Sequence, residues 1–136
     1  MSSIIKISEA VSIALHGMAY ISTKNGKFVN VKMLTKQISS SANHIAKILQ
    51  RLVHAGLLKS ERGPAGGYVL AKPSNEIKLL EVYEATIGPV KLEACPMGKE
   101  NCTFKSCIFS GELEKANNQL IVYMRSKSLS EFEGIS

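Results

Sequence analysis

The chain has 136 residues, 45% of them apolar, which is ordinary for one folded domain or a small domain with an appended helix. The opening run Met1-Ser2-Ser3-Ile4-Ile5-Lys6 holds no long apolar stretch, so neither a signal peptide nor a membrane span is expected, and the expected home is the cytoplasm. Charge is uneven: residues 1–78 carry eleven Lys/Arg against three Glu, whereas residues 79–136 carry six against eight. A basic N-terminal portion is the footprint of phosphate binding, with a merely solvated lysine-rich surface as the alternative.

The first element is a helix. Ile7, Ala10, Val11, Ala14, Leu15, Met18 and Ala19 form an apolar stripe, with Ser3 or Ser8 as cap and Asn25-Gly26 as the closing turn. A short second helix fits Val31 to Ile38. After Ser39-Ser40-Ser41 a third helix runs from about Ala42 to His54, with Ile45, Ile48, Leu49, Leu52 and Val53 inward and Gly56 as its stop. Two helices joined by a short serine turn make a helix-turn-helix. The other face of the third helix carries Asn43, His44, Lys47, Gln50 and Arg51, residue types that reach base edges and phosphates.

Leu57 to Arg62, the turn Gly63-Pro64-Ala65-Gly66-Gly67, and Tyr68 to Leu70 read as a β-hairpin, placed where a wing would follow a helix-turn-helix. Arg62 stands at its tip. A fourth helix is expected from Ser74, its cap, through Ile77, Leu80, Val82, Tyr83 and Ile87, broken by Gly88-Pro89. A last helix spans roughly Gly111 to Lys127 along Leu113, Ala116, Leu120 and Met124. Its length, with the two-fold symmetry of most operators, points to a homodimer. Residues 128–136 are expected to fray. The fold class is mainly α with a small β-hairpin: a winged helix-turn-helix at 1–90, a cysteine loop at 91–108, and a dimerisation helix with tail at 109–136.

All three cysteines, Cys95, Cys102 and Cys107, fall in that loop. An odd, clustered set is poor material for disulfides, whereas three thiolates on one loop can hold a metal or an iron–sulfur cluster with a fourth ligand from elsewhere. Zinc is disfavoured by the lack of closely spaced cysteine pairs. A thiol switch stays open, with Lys99 and Lys105 nearby to favour the thiolate.

The run Arg62-Gly63-Pro64-Ala65-Gly66-Gly67-Tyr68 resembles the wing of the IscR/NsrR family of winged-helix regulators, and the similarity extends over nearly the whole chain. The resemblance implies a dimeric transcription regulator acting on a pseudo-palindromic double-stranded operator. It also implies a [2Fe–2S] or [4Fe–4S] cluster on Cys95, Cys102 and Cys107 that senses redox state, nitric oxide or iron–sulfur status. IscR-type members place a His three residues after the last cysteine, where this chain has Ser110. NsrR-type members use an N-terminal carboxylate of the partner subunit, a position matched here by Glu9, with His16 as the alternative.

For DNA, the resemblance implies that the third helix enters the major groove and the wing lies near the minor groove. The residues assigned to that contact are Ser41, Asn43, His44 and Lys47 of the helix, Arg62, Gly63 and Pro64 of the wing, and Thr35 and Lys36 on phosphates. The alternatives are a cluster-free regulator of the same fold answering to thiols or a metabolite, and an iron–sulfur electron carrier or protein-interaction module. An enzyme is not expected: the chain has no Asp, and no nucleophile–base pair or phosphate loop stands out.

Overall fold

The computed structural model describes residues 4–90, 103, 105–106 and 108–132. Among them are five α-helices and one two-stranded sheet, in the order α1 (Glu9–Ser22), α2 (Val31–Thr35), α3 (Ala42–His54), β1 (Leu58–Glu61), β2 (Gly67–Leu70), α4 (Leu79–Ile87) and α5 (Glu112–Ser126). No described helix is long and apolar enough to cross a membrane.

Local chemistry sets the helix ends. Ser8, not Ser3, caps α1, its Oγ accepting the Val11 N–H at 3.3 Å. Asn30 caps α2 through the Met33 N–H at 2.8 Å, and Ser41 caps α3 through the His44 N–H at 3.1 Å. The chain turns at Asn25 (φ 51°) and Gly26 (φ 85°), and leaves α3 through Gly56 (φ 82°). Helix α2 stops at Thr35, three residues short of the expected end, and Ile38 closes the following turn by donating to the Leu34 carbonyl at 2.8 Å.

One core joins these elements. Ile13, Met18 and Ile21 of α1 pack with Leu34, with Ile45, Ile48, Leu49 and Leu52 of α3, with Leu58 and Tyr68 of the hairpin, and with Ile77 and Val82. The buried face of α1 is rotated from the expected stripe: Ile13 and Ile21 are inside and Ile7 is exposed. In the hairpin, Leu58 pairs with Leu70 and Glu61 with Gly67, antiparallel. Val29 adds a one-residue bridge to Tyr68 through backbone bonds of 2.9 and 2.8 Å.

Two expectations are corrected. The fourth helix does not start at Ser74. A single 3₁₀ turn covers Ser74–Glu76, and α4 begins at Leu79 with Lys78 as N-cap. The reason lies far along the chain: the Leu79 N–H donates to the Lys127 carbonyl and the Leu129 N–H to the Ile77 carbonyl, so Ile77 is held extended. Nor does the chain fray at 128. Leu129 is fully buried in the core and Ser128 is buried beside it, while 133–136 lie outside the described residues.

Helix α5 closes a second, smaller cluster, in which Ile121 and Met124 meet Leu80, with Leu15, Leu79, Tyr83 and Val90 around them. Leu120, Val122 and Tyr123 are left exposed on α5, and Ile108 and Phe109 just before it.

Candidate nucleic-acid interface

Helix α3 is held from three sides. Inward, its apolar stripe fills the core. Toward the hairpin, Gln50 Nε2 donates to the Tyr68 hydroxyl at 2.9 Å. Toward α4, Arg51 donates to the Thr86 carbonyl at 3.2 Å. Gln50 and Arg51, which share the polar face of α3 but are not among the residues assigned to DNA, therefore fasten that face in place.

A third fastening joins α1 to the start of α3. Glu9 Oε1 accepts from Ser40 Oγ at 2.8 Å and lies 3.4 Å from His44 Nδ1. The Ser40 hydrogen bond holds the Glu9 carboxyl below its ordinary range; partial desolvation opposes this, and the nearby His44 adds to it. Both contacts use one carboxylate oxygen. Glu9 is thus tied to the turn whose next residue, Ser41, caps the third helix. Sequence reading missed this clasp because Glu9 and Ser40 lie on different elements, 31 residues apart.

The residues assigned to DNA fall into two groups. Asn43, Lys47, Lys36 and Arg62 are exposed, and their side chains make no hydrogen bond or ion pair to another described residue. Thr35, Ser41 and His44 are engaged. The Ser41 oxygen accepts the His44 N–H, which leaves its own proton free to donate to a phosphate. The Thr35 hydroxyl spends its proton on the Lys32 carbonyl at 2.7 Å, so it can only accept. His44 has its Nδ1 turned toward Glu9 and Ser40, and Nε2 is the nitrogen left for a base or phosphate.

The wing explains its glycines. A Cβ on Gly66 would sit 2.1 Å from the Glu61 carbonyl oxygen, and one on Gly67 would sit 2.5 Å from that of Val29. Neither position admits a side chain, so the hairpin folds back tightly and presents Arg62, Gly63 and Pro64 at an exposed tip. Lys32 and Lys59 are exposed as well. Unpaired amide and ammonium groups on α3, together with a cationic wing tip on the hairpin that Gln50 joins to that helix, are suited to a groove and its phosphates.

A family model described as Rrf2, iron-dependent transcriptional regulator, matches residues 7–132. The chain belongs to the Rrf2 family. Its winged helix-turn-helix is of the IscR/NsrR type that the wing motif resembles, and Rrf2 membership makes it a transcription regulator. This Rrf2 chain is 24% identical over 131 residues to an Aquifex aeolicus protein assigned as an HTH-type transcriptional regulator, covering 94% of this chain and 91% of that one. Among solved structures, it superposes on CymR, the global cysteine regulator of B. subtilis, with a TM-score of 0.77 at 22% identity, over 98% of this chain and 99% of that one. It also superposes on T. potens IscR with a TM-score of 0.71 at 22% identity, over 94% and 85%. At these identities the structures establish the Rrf2 fold.

The cluster assignment meets the structure at one point. Cys95, Cys102 and Cys107 lie outside the described residues. Among the described residues, no group of three His, Cys or Glu side chains is placed to hold a metal. Glu9 is described: its side chain is 63% exposed, and its second oxygen has no partner among the described residues.

Proposed function

We propose that this Rrf2 protein is a homodimeric regulator. Its α3 helix and wing read a pseudo-palindromic operator, and its DNA affinity is set by an iron–sulfur cluster on Cys95, Cys102, Cys107 and Glu9 of the partner subunit. The observation that carries the DNA reading is the set of exposed, unpaired Asn43, Lys47 and Arg62 side chains on elements fastened from three sides. Asn43 suits a base edge, Lys47 a phosphate or guanine, and Arg62 the minor groove. The exposed apolar residues of α5, Leu120, Val122 and Tyr123, support pairing with a second copy.

The donor set fits the cluster chemically. Three thiolates suit iron, and a carboxylate oxygen is an acceptable weaker fourth ligand. When bound, the cluster would supply redox and nitric oxide reactivity that side chains lack. This chain's own contribution is the coupling. Oxygen Oε1 of Glu9 stays with Ser40 while Oε2 remains available, so the groups that orient the carboxylate belong to the start of the reading helix. A shift of Glu9 would pull on Ser40 and the Ser41 cap, which is the differential contact that a change in DNA affinity requires.

The similarity to CymR favours a second reading, a cluster-free regulator answering to thiol state or a sulfur metabolite. Protein purified without oxygen decides between them by its visible spectrum and its iron and sulfide content. A brown protein with both elements supports the cluster. A colourless protein that resists reconstitution supports the second reading, and a duplex selected from a random pool then tests DNA reading independently.

A further inference from the structure

A cleft of about 450 Å³ opens away from the residues assigned to DNA. One wall is α1, a second is the turn between α2 and α3, and the others are the start of α4 and Phe132. We propose that this cleft is a binding site for a small aromatic acid that carries one hydrogen-bond donor on its ring.

The volume lies in the range of small-molecule sites, and the walls have the usual composition of an apolar body with a few polar groups. Leu15, Ala19, Ile38, Leu79 and Phe132 supply the apolar surface. His16, Tyr20 and Thr23 line it at helical spacing, along about 10 Å of α1. That length matches a fused ring with a short acidic arm.

The polar groups fix the ligand's polarity. His16 Nδ1 is 2.7 Å from the Ser12 carbonyl, which can only accept. The Nδ1 therefore carries the proton, and in the neutral ring Nε2 is the nitrogen able to accept from a ligand N–H or O–H. Toward the other end, Lys24, which does not itself line the cleft, holds its ammonium 4.7 Å from the ring centroid of the lining Tyr20 and follows the lining Thr23 in sequence. No described lining residue is acidic. An anion is thus favoured at the Lys24 end, a donor at the His16 end, and a flat apolar ring between them, where Ala19 is small enough to leave room.

Occupancy also reaches the reading head. Gln37 and Ile38 line the cleft, and two residues on, Ser40 donates to Glu9. A ligand wedged against Ile38 braces the turn that carries α3. This regulatory consequence rests on the DNA reading above; the binding itself does not.

Calorimetric titration of the full-length protein tests the site, with indole-3-acetate as the probe. Tryptophol, lacking the carboxylate, and 1-naphthylacetate, lacking the ring N–H, are the comparators. Saturable binding of indole-3-acetate is expected, weakened about threefold to fivefold for tryptophol by loss of an exposed ion pair. It is weakened about threefold to tenfold for 1-naphthylacetate by loss of one hydrogen bond. Ala19→Trp fills the cleft and should abolish binding. Should that variant fail to fold, Lys24→Gln serves instead: it should weaken indole-3-acetate and leave tryptophol unchanged. Absence of saturable heat, equal affinity for all three compounds, or binding that survives a folded Ala19→Trp overturns the proposal. If the acid does not bind and Ala19→Trp converts a sedimenting dimer to monomer, the cleft is instead covered by a second copy. A bound acid that leaves the affinity for a selected duplex unchanged overturns the regulatory consequence alone.

Discussion

Gly67→Ala offers a quantitative check on how the wing is built. The added Cβ would stand 2.5 Å from the Val29 carbonyl oxygen, 2.7 Å from its carbon and 3.0 Å from the Asn30 nitrogen. A carbon–oxygen contact relaxes at about 3.3 Å, so the strands must part by roughly 0.8 Å at this point. All three neighbours are backbone atoms, so no side chain can swing aside. The bonds at risk are Val29 N–H to the Tyr68 carbonyl (2.9 Å) and Tyr68 N–H to the Val29 carbonyl (2.8 Å). Each contributes about 1 kcal/mol net. The backbone at φ +140° adds about 1–2 kcal/mol for a residue with a Cβ. The total is about 3–4 kcal/mol, or roughly 10–15 °C in Tm for a chain of this size. Gly26→Ala is the control, because its φ is +85° with nothing within 4 Å, so only about 1 kcal/mol of backbone strain applies. Thermal melts followed by circular dichroism make the comparison. Equal melting temperatures for the two variants would refute the close approach of β2 to Val29. Tyr68 also receives Gln50 of α3, so folded Gly67→Ala protein should bind DNA more weakly as well.

Other consequences follow from single side chains. Lys47→Ala should weaken operator binding and flatten the slope of log K against log salt by about one unit, the signature of one lost phosphate contact; an unchanged slope in an anisotropy titration removes Lys47 from the backbone. Leu129→Ala should destabilise by about 2–5 kcal/mol in a urea melt, since it empties a fully buried site; an effect below the error of the melt would contradict the packing of the C-terminal segment. The Glu131 carboxyl is held below its ordinary range chiefly by the Ser128 N–H at 2.8 Å, with Lys127 at 3.3 Å and Lys78 as the facing cations. Its folded value is depressed, so its contribution is present above about pH 4.3 and fades as pH falls through the folded value. Glu131→Gln should therefore flatten the acid side of a stability–pH profile, and identical profiles would contradict that assignment.

The elements that sequence located well are those governed by neighbours in the chain. Ser41 and Gly56 bracket α3 at its observed limits because a cap and a left-handed stop act within four residues. The hairpin was legible for the same reason, since Gly66 and Gly67 serve a turn only a few residues long. Sequence misjudged what depends on distant partners. Ser74 looks like a cap, yet the chain after it is drawn into an extended bridge by Lys127 and Leu129, which no local pattern announces. Residues 128–132 look like a frayed tail, yet Leu129 is buried in the core, its N–H bonds to Ile77, and Phe132 lies against α1. On α5 Met124 of the expected stripe is buried, but Leu120 is exposed and its neighbour Ile121 is buried instead, because Leu15, Leu79 and Leu80 are set by tertiary packing. On the candidate interface, residue type singled out Asn43, Lys47 and Arg62, which the structure leaves exposed, while the fastening roles of Glu9, Gln50 and Arg51 depend on partners 18 to 35 residues away.

In the proposed mechanism one set of cysteines and one carboxylate govern how tightly α3 and the wing hold DNA. Its most direct test is the dissociation constant of a selected duplex, measured anaerobically on one preparation with its iron and sulfide in place and again after their removal. The two constants should differ by about fivefold or more, the lower end of coupling between linked sites, and the difference should collapse in Glu9→Ala. Equal constants in the two states, with iron and sulfide verified in the first, would contradict it.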